Sequence, residues 1–243
     1  MNILCIIPSR IGSTRLPRKA LALIQGKPMV QRVYENTKLC SAISKVVVAT
    51  DCEEIAQVIS GLGGEVQLTD PELPTGTDRV AVAAEHYPNM DVVINLQGDQ
   101  PFVRTEMLTS LVLPYLSNEM PDMTTLACPL NFATEYNDPS VVKVTYDLAS
   151  NAIYFSRSPI PYFREQVKVP VAHHIGIYAF RRDFLAHYRT LAETPLQIAE
   201  GLEQLRVLEH GYRIRICHTE HHSLEINTPE DLARANEVDL CSK

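Results

Sequence analysis

The stretch Asn2-Ile3-Leu4-Cys5-Ile6-Ile7-Pro8 runs directly into Ser9-Arg10-Ile11-Gly12-Ser13-Thr14-Arg15-Leu16-Pro17-Arg18-Lys19. Its first part is apolar and rich in β-branched residues, and it stops at a polar loop, which predicts a buried strand. Working outward, short apolar runs recur at residues 45–49, 65–68 and 91–96. Segments with helical apolar spacing lie between them at 28–39, 53–62 and 77–86. Strands alternating with helices predict an α/β fold with a mostly parallel sheet covered on both faces. In such sheets ligands bind beyond the carboxyl ends of the strands, so the loops after Pro8 and Leu96 are where chemistry is expected.

Past residue 120 the texture changes. Residues 123–130, 141–146, 152–155 and 173–180 read as extended segments separated by proline-rich turns, which predicts a smaller antiparallel β insertion. Residues 181–191 and 195–209 read as helices and 212–217 as a strand. Thr228-Pro229-Glu230-Asp231 opens a last helix, with threonine as N-cap, proline at the first helical position and acidic residues in the first turn. The expected organisation is one domain over 1–243: an α/β core at 1–120, a lobe at about 121–220, and a return to the core at about 221–243.

Composition narrows the function classes. The 243 residues carry 22 Lys+Arg against 29 Asp+Glu, a net charge of −7, and 45% are hydrophobic. Ordinary hydrophobicity excludes global disorder, and an acidic balance argues against coating nucleic acid or an anionic membrane. No run approaches the roughly 18 apolar residues of a membrane span, and the N-terminal pattern does not read as a secretory signal. The six cysteines are scattered with no C-x-x-C pair, the usage of a cytoplasmic protein without structural disulfides. Charge is unevenly spread, since Arg10, Arg15, Arg18, Lys19, Lys27 and Arg32 all precede the first acidic residue, Glu35.

Three segments carry candidate chemistry. Residues 8–19 combine a glycine, hydroxyls and cations, the donor set of a polyphosphate cradle, without a P-loop or a dinucleotide fingerprint. Asn95-Leu96-Gln97-Gly98-Asp99-Gln100-Pro101 places a carboxylate beside a glycine turn at a strand end, suited to Mg²⁺ shared with substrate phosphates. Thr75-Gly76-Thr77-Asp78-Arg79 enters a helix, where free N–H groups and hydroxyls either read a polar ligand or simply cap the helix. The cluster His218, Glu220, His221, His222 has no matching distant ligand pattern and reads as solvated surface.

Together IIPSRIGSTRLPRK (6–19), GKPMVQRVYE (26–35), VVVATD (46–51), GTDR (76–79), INLQGDQP (94–101), YFSRSPIPY (154–162), HIGIYAFRRDFL (174–185), LEQLRVLEHG (202–211) and INTPEDL (226–232) resemble the 3-deoxy-manno-octulosonate (KDO) cytidylyltransferases, including capsule-pathway forms. The resemblance spans nearly the whole chain. It implies a Rossmann-like nucleotide-diphospho-sugar transferase sheet with a lobe for sugar binding and dimerisation. It also implies a cytoplasmic, Mg²⁺-dependent homodimer that makes CMP-KDO and pyrophosphate from CTP and KDO, for lipopolysaccharide or capsule synthesis. Arg10, Arg15, Lys19 and Asp99 would be the catalytic residues. Pro8, Ser13, Thr14, Thr75, Gly76, Thr77, Arg79 and Gln97 would join Arg10, Arg15 and Lys19 around the nucleotide. Gln97, His174, Tyr178, Glu203 and Gln204 would contact the sugar acid, and Asp99 and Asn227 would hold the metal. The anomeric hydroxyl would attack the α-phosphorus in line, with no covalent enzyme nucleophile.

The chain departs from the family pattern at identifiable points. Asn227 stands where an aspartate is usual, Gln100 where glutamate is common, Arg18 where glycine is usual and Ala20 where proline is usual. An amide attracts a hard dication less strongly than a carboxylate, which predicts weaker metal affinity or turnover. The alternatives are a cytidylyltransferase for 8-amino-KDO or a sialic-acid-like acceptor, and a homologue that binds nucleotide or sugar without turnover.

Overall fold

The computed structural model describes residues 1–13, 15–165 and 167–237. It divides into two compact units, residues 1–108 with 223–243, and residues 109–222.

In the first unit, β1 (Ile3–Ser9) is buried along its whole length. Full burial of Ile3, Leu4, Ile6 and Ile7 is worth about 1.5–3 kcal/mol each, which makes this strand the anchor of the unit. The chain then forms a small hairpin of β2 (Leu23–Ile24) and β3 (Lys27–Pro28), helix α1 (Met29–Lys38), β4 (Lys45–Thr50), α2 (Glu53–Ser60), β5 (Glu65–Leu68), α3 (Gly76–Ala84) and β6 (Val92–Asn95). Strands β4 and β6 flank β1 in parallel, and β5 extends the sheet beyond β4. The chain therefore grows away from β1 on one side and returns to its other side with β6. That reversal puts a crevice at the carboxyl ends of β1 and β6, the expected ligand position in such sheets.

The C-terminal segment completes this unit. Ile226 and Ala235, the latter on α8 (Pro229–Glu237), bury against Leu16, Ile24 and Met29. Ile226 N–H donates to the Asp99 carbonyl (3.1 Å), which fixes residues 225–227 against the loop after β6. The Thr228 cap is realised: its hydroxyl accepts from Asp231 N–H at 3.2 Å, and the Asp231 carboxylate accepts from Thr228 N–H at 2.9 Å.

The second unit begins within α4 (Thr105–Leu116), a helix the sequence reading did not assign. Strand β7 (Met123–Cys128) is central. It pairs antiparallel with β10 (Val171–Arg181) and parallel with β11 (Ile214–His218). Strand β8 (Lys143–Tyr146) pairs antiparallel with the start of β10 and with β9 (Ala152–Ser156), so the strand pairing within this unit is mixed and mainly antiparallel. Helix α5 (Arg182–Tyr188) follows β10. The single helix expected over 195–209 is instead two, α6 (Pro195–Glu200) and α7 (Gln204–Glu209). Gly201 takes φ 62° and terminates the first, as glycine does at helix C-termini. The apolar residues of this span divide with the break, Leu202 and Leu205 being buried and Ile198 exposed.

Among the described residues no helix is long and apolar enough to cross a membrane. The five described cysteines form no disulfide with one another, and Cys241 lies outside the described residues.

Candidate active site

The loop leaving β1 reaches the loop leaving β6 at very short range. A Cβ on Gly98 would lie 2.7 Å from Ser9 Oγ and 3.0 Å from the Pro8 carbonyl, so only glycine lets the two strand ends close. Ser9 is buried there, and its hydroxyl has no hydrogen-bond partner. Ile11 N–H donates to Asp51 Oδ1 (3.1 Å), and Asp51 is ion-paired with the buried Arg79 guanidinium at 3.2 Å. Arg79, which the resemblance gives to the nucleotide, is thus committed to holding Asp51 and, through it, the loop.

Lys19 organises the next layer. Its Nζ lies 2.8 Å from Asp99 Oδ2 and 3.1 Å from Asn227 Oδ1, and Arg15 Nη2 donates to the same Asn227 oxygen at 3.0 Å. Four residues expected to meet, Arg15, Lys19, Asp99 and Asn227, therefore do. Carboxylate and amide oxygens converge on a single cationic centre, an oxygen donor set that suits a hard divalent ion.

A residue to which the sequence reading gave no role completes the cluster. Gln100 Nε2 donates to Glu225 Oε1 (2.9 Å), and Asn227 Nδ2 donates to Glu225 Oε2 (3.4 Å). The amides at 100 and 227, both at positions where the resemblance leads one to expect carboxylates, converge on the cluster's second carboxylate. Loss of solvent and repulsion from Asp99 hold the Glu225 carboxyl above the ordinary carboxylate range, partly offset by Lys19. Its position two residues before Asn227 was the only sequence signal.

The remaining nucleotide candidates divide. Thr75 caps α3, its hydroxyl accepting from Asp78 N–H (3.1 Å) and donating to Asp78 Oδ2 (2.8 Å), so the capping reading accounts for it. Thr77 is buried and accepts from Asn95 Nδ2 at 3.0 Å, while Gln97 Nε2 donates to Asn95 Oδ1 at 3.0 Å. Gly76 backs onto the Gln97 amide. Ser13 Oγ accepts from Leu16 N–H, Arg10 is exposed, Pro8 ends the buried strand, and Thr14 lies outside the described residues. Arg18 pairs with Glu54 instead of extending the cationic loop.

The second unit gathers three of its four sugar-acid candidates. His174 Nε2 is 2.9 Å from Thr125 Oγ1, and its ring packs at 4.8 Å from Phe155 and 5.8 Å from Tyr178. Burial, with a smaller contribution from His173, pushes the His174 pKa down to about 3, so the ring is neutral. Tyr178 O–H donates to Gln204 Oε1 (3.1 Å), while Gln204 Nε2 is buried with no partner. An unsatisfied buried donor costs about 1–3 kcal/mol, a cost relieved when a ligand oxygen accepts from it. Glu203 stands half-buried at the start of α7.

With this geometry in hand, known proteins give a consistent comparison. A family model described as cytidylyltransferase matches residues 4–216. The 3-deoxy-manno-octulosonate cytidylyltransferase of Acaryochloris marina is 55% identical over 97% of this chain and 96% of its own length. The chain belongs to the 3-deoxy-manno-octulosonate cytidylyltransferase family. The member from Synechococcus elongatus (strain ATCC 33912 / PCC 7942 / FACHB-805) is 50% identical over 97% of both chains. A solved CMP:2-keto-3-deoxy-manno-octonic acid synthetase complexed with CTP superposes with a TM-score of 0.92 at 37% identity, covering 98% of each chain. The fold is that of the Rossmann-like nucleotidyltransferases, and the cytidylyltransferase is a nucleotide-transferring enzyme.

Proposed function

We propose that the protein transfers CMP from CTP to the anomeric hydroxyl of KDO, giving CMP-KDO and pyrophosphate. The observation that carries the reading is the convergence of Lys19 and Arg15 with Asp99 and Asn227 at the strand ends, in a chain similar over its full length to KDO cytidylyltransferases.

The loop cations hold the triphosphate: Lys19 and Arg15 neutralise charge that builds on the leaving pyrophosphate, and Ser9 Oγ and exposed loop N–H groups donate to phosphate oxygens. Asp99, Asn227 and Glu225 are the residues that would hold Mg²⁺, which when bound supplies further neutralisation of the phosphates. On CTP binding, Lys19 exchanges its carboxylate partner for phosphate and frees Asp99 oxygens. His174, Tyr178 and Gln204 orient the sugar acid, with the neutral imidazole and the unpaired Gln204 amide supplying hydrogen bonds to hydroxyls or carboxylate. The anomeric oxygen bonds to the α-phosphorus as the bond to the bridging oxygen breaks, and the hydroxyl proton is released. Positioning and charge stabilisation account for the rate.

Because Glu225 returns a carboxylate to the metal region, the Asn227 substitution is compatible with turnover, and we favour an active enzyme over a binding-only homologue. We further infer a cytoplasmic homodimer acting in lipopolysaccharide or capsule synthesis, consistent with exposed apolar residues such as Phe132, Ile153 and Tyr162. Light scattering checks the dimer. The test of function is pyrophosphate release from CTP and Mg²⁺ with KDO, 8-amino-KDO and a sialic acid. KDO is expected to give the highest kcat/KM. A preference for another acceptor would reassign the sugar, and CTP binding without release from any acceptor would reject catalysis.

A further inference from the structure

The structure gives His222 the distant partners that its local sequence lacks. Cys128 ends β7 and His173 lies near the start of β10, and the two are direct cross-strand partners, so their side chains share one face of the sheet. His222, beyond β11, comes down on that face with its Nδ1 3.4 Å from Cys128 Sγ. The ligand atoms of Cys128, His173 and His222 all lie within 4.8 Å of one another. Glu135, on the turn after β7, brings Oε1 to 3.4 Å from His173 Nδ1 and 3.9 Å from His222 Nδ1.

We propose that Cys128, His173, His222 and Glu135 form a tetrahedral site for a borderline-soft divalent transition metal, Zn²⁺ foremost. Metal bonds of about 2.3 Å to sulfur and about 2.0–2.1 Å to nitrogen or oxygen require donor separations of roughly 3.3–3.6 Å in a tetrahedron. Of the six separations, Cys128–His222 and His173–Glu135 at 3.4 Å match and His222–Glu135 at 3.9 Å is a few tenths of an ångström long, while Cys128–His173 and His173–His222, within 4.8 Å, close on binding. His173 Nδ1 is buried, makes no well-aligned hydrogen bond, and faces Glu135 Oε1 at 3.4 Å inside the cluster. Sulfur with imidazole is the ligand chemistry that selects Zn²⁺ over Mg²⁺. On binding, the Cys128 S–H proton passes to solvent as the sulfur–metal bond forms, with no change of oxidation state. His221 and His218 do not join; His218 stacks instead on Tyr146 at 5.0 Å.

The test is Zn²⁺ and Co²⁺ titration of the full chain in excess Mg²⁺, by calorimetry and by Co²⁺ absorption. One equivalent is expected, with a thiolate-to-cobalt charge-transfer band and tetrahedral d–d bands. His222→Ala, at an exposed position, should weaken binding at least tenfold while leaving the thermal midpoint of the metal-free protein unchanged. Cys128→Ser should abolish the charge-transfer band, and His221→Ala should alter nothing. A wild-type protein without the band, a His222→Ala protein that keeps full affinity, or equal loss in His221→Ala would overturn the assignment. The cluster would then be a thiol–imidazole hydrogen bond only.

Discussion

The cluster around Lys19 and Asp99 and the cluster around Cys128 and His173 solve different problems with loops that leave strands. The first is oxygen-rich and carries its own cations, so it waits in a charge-neutralised state and must exchange Lys19 contacts for those of an anionic ligand. The second is built of sulfur and imidazole donors, with a thiol whose pKa burial pushes up to about 12 and a histidine that burial keeps neutral. Its one carboxylate is that of Glu135, and it holds no lysine or arginine of its own. Donor chemistry therefore separates the site proposed for hard ions and phosphates from the one proposed for softer metals. The first depends on a balance of charge that the amides at 100 and 227, both hydrogen-bonded to Glu225, shift together.

The largest expected effect breaks the two clusters apart. Asp99→Ala should lower kcat/KM by about a thousandfold, in line with loss of a positioned charge at a phosphoryl-transfer site, whereas His222→Ala should leave turnover unchanged. Steady-state pyrophosphate assays of both variants decide it, and equal losses would erase the distinction. Next is Gly98→Ala, whose Cβ would meet Ser9 Oγ and the Pro8 carbonyl. Overpacking of this kind costs about 1–3 kcal/mol, measurable by urea unfolding, and CTP affinity should fall with it. A wild-type midpoint and wild-type CTP binding would mean the strand ends have slack.

A third prediction uses the consecutive histidines. His174 is neutral in the fold, with its pKa depressed from an ordinary 6.5 to about 3. The unfolded chain therefore binds the extra proton first, and the contribution of His174 to stability, complete above pH 6.5, is lost progressively as pH falls toward 3. Between pH 6.5 and 4.5 the wild type should lose roughly 2 kcal/mol more than His174→Gln. Parallel losses in urea melts at the two pH values would refute the buried neutral ring.

Much of the fold was legible because its signals are local. The apolar run at Ile3–Ser9 and the alternation after it gave the parallel sheet, and Thr228-Pro229 gave the start of α8. Helix α4 was missed because its apolar residues, on a helix that also contains Pro114, do not form one clean stripe. The break at Gly201 was missed because a lone glycine inside an apolar period can be tolerated within a helix as well as end one. At the candidate site, strand position pointed to Arg15, Lys19 and Asp99 and the family resemblance to Asn227, and the structure brings the four together. Arg79, Gln100 and Glu225 were not, since their roles depend on partners 28 and 125 residues away. The Cys128–His173–His222 group is the extreme case, because cross-strand register and a distant loop create it and no spacing rule encodes it.

The smallest effect tests the central claim most directly: that the site's second carboxylate has moved to Glu225. Mn²⁺ binding to the full chain with CTP, followed by electron paramagnetic resonance, reads the oxygen-rich site without relying on turnover. Glu225→Gln should weaken Mn²⁺ about tenfold, and adding Asn227→Asp in the same chain should restore most of it, since one carboxylate is exchanged for another. Undiminished Mn²⁺ affinity in Glu225→Gln, or no recovery in the double variant, would contradict the account.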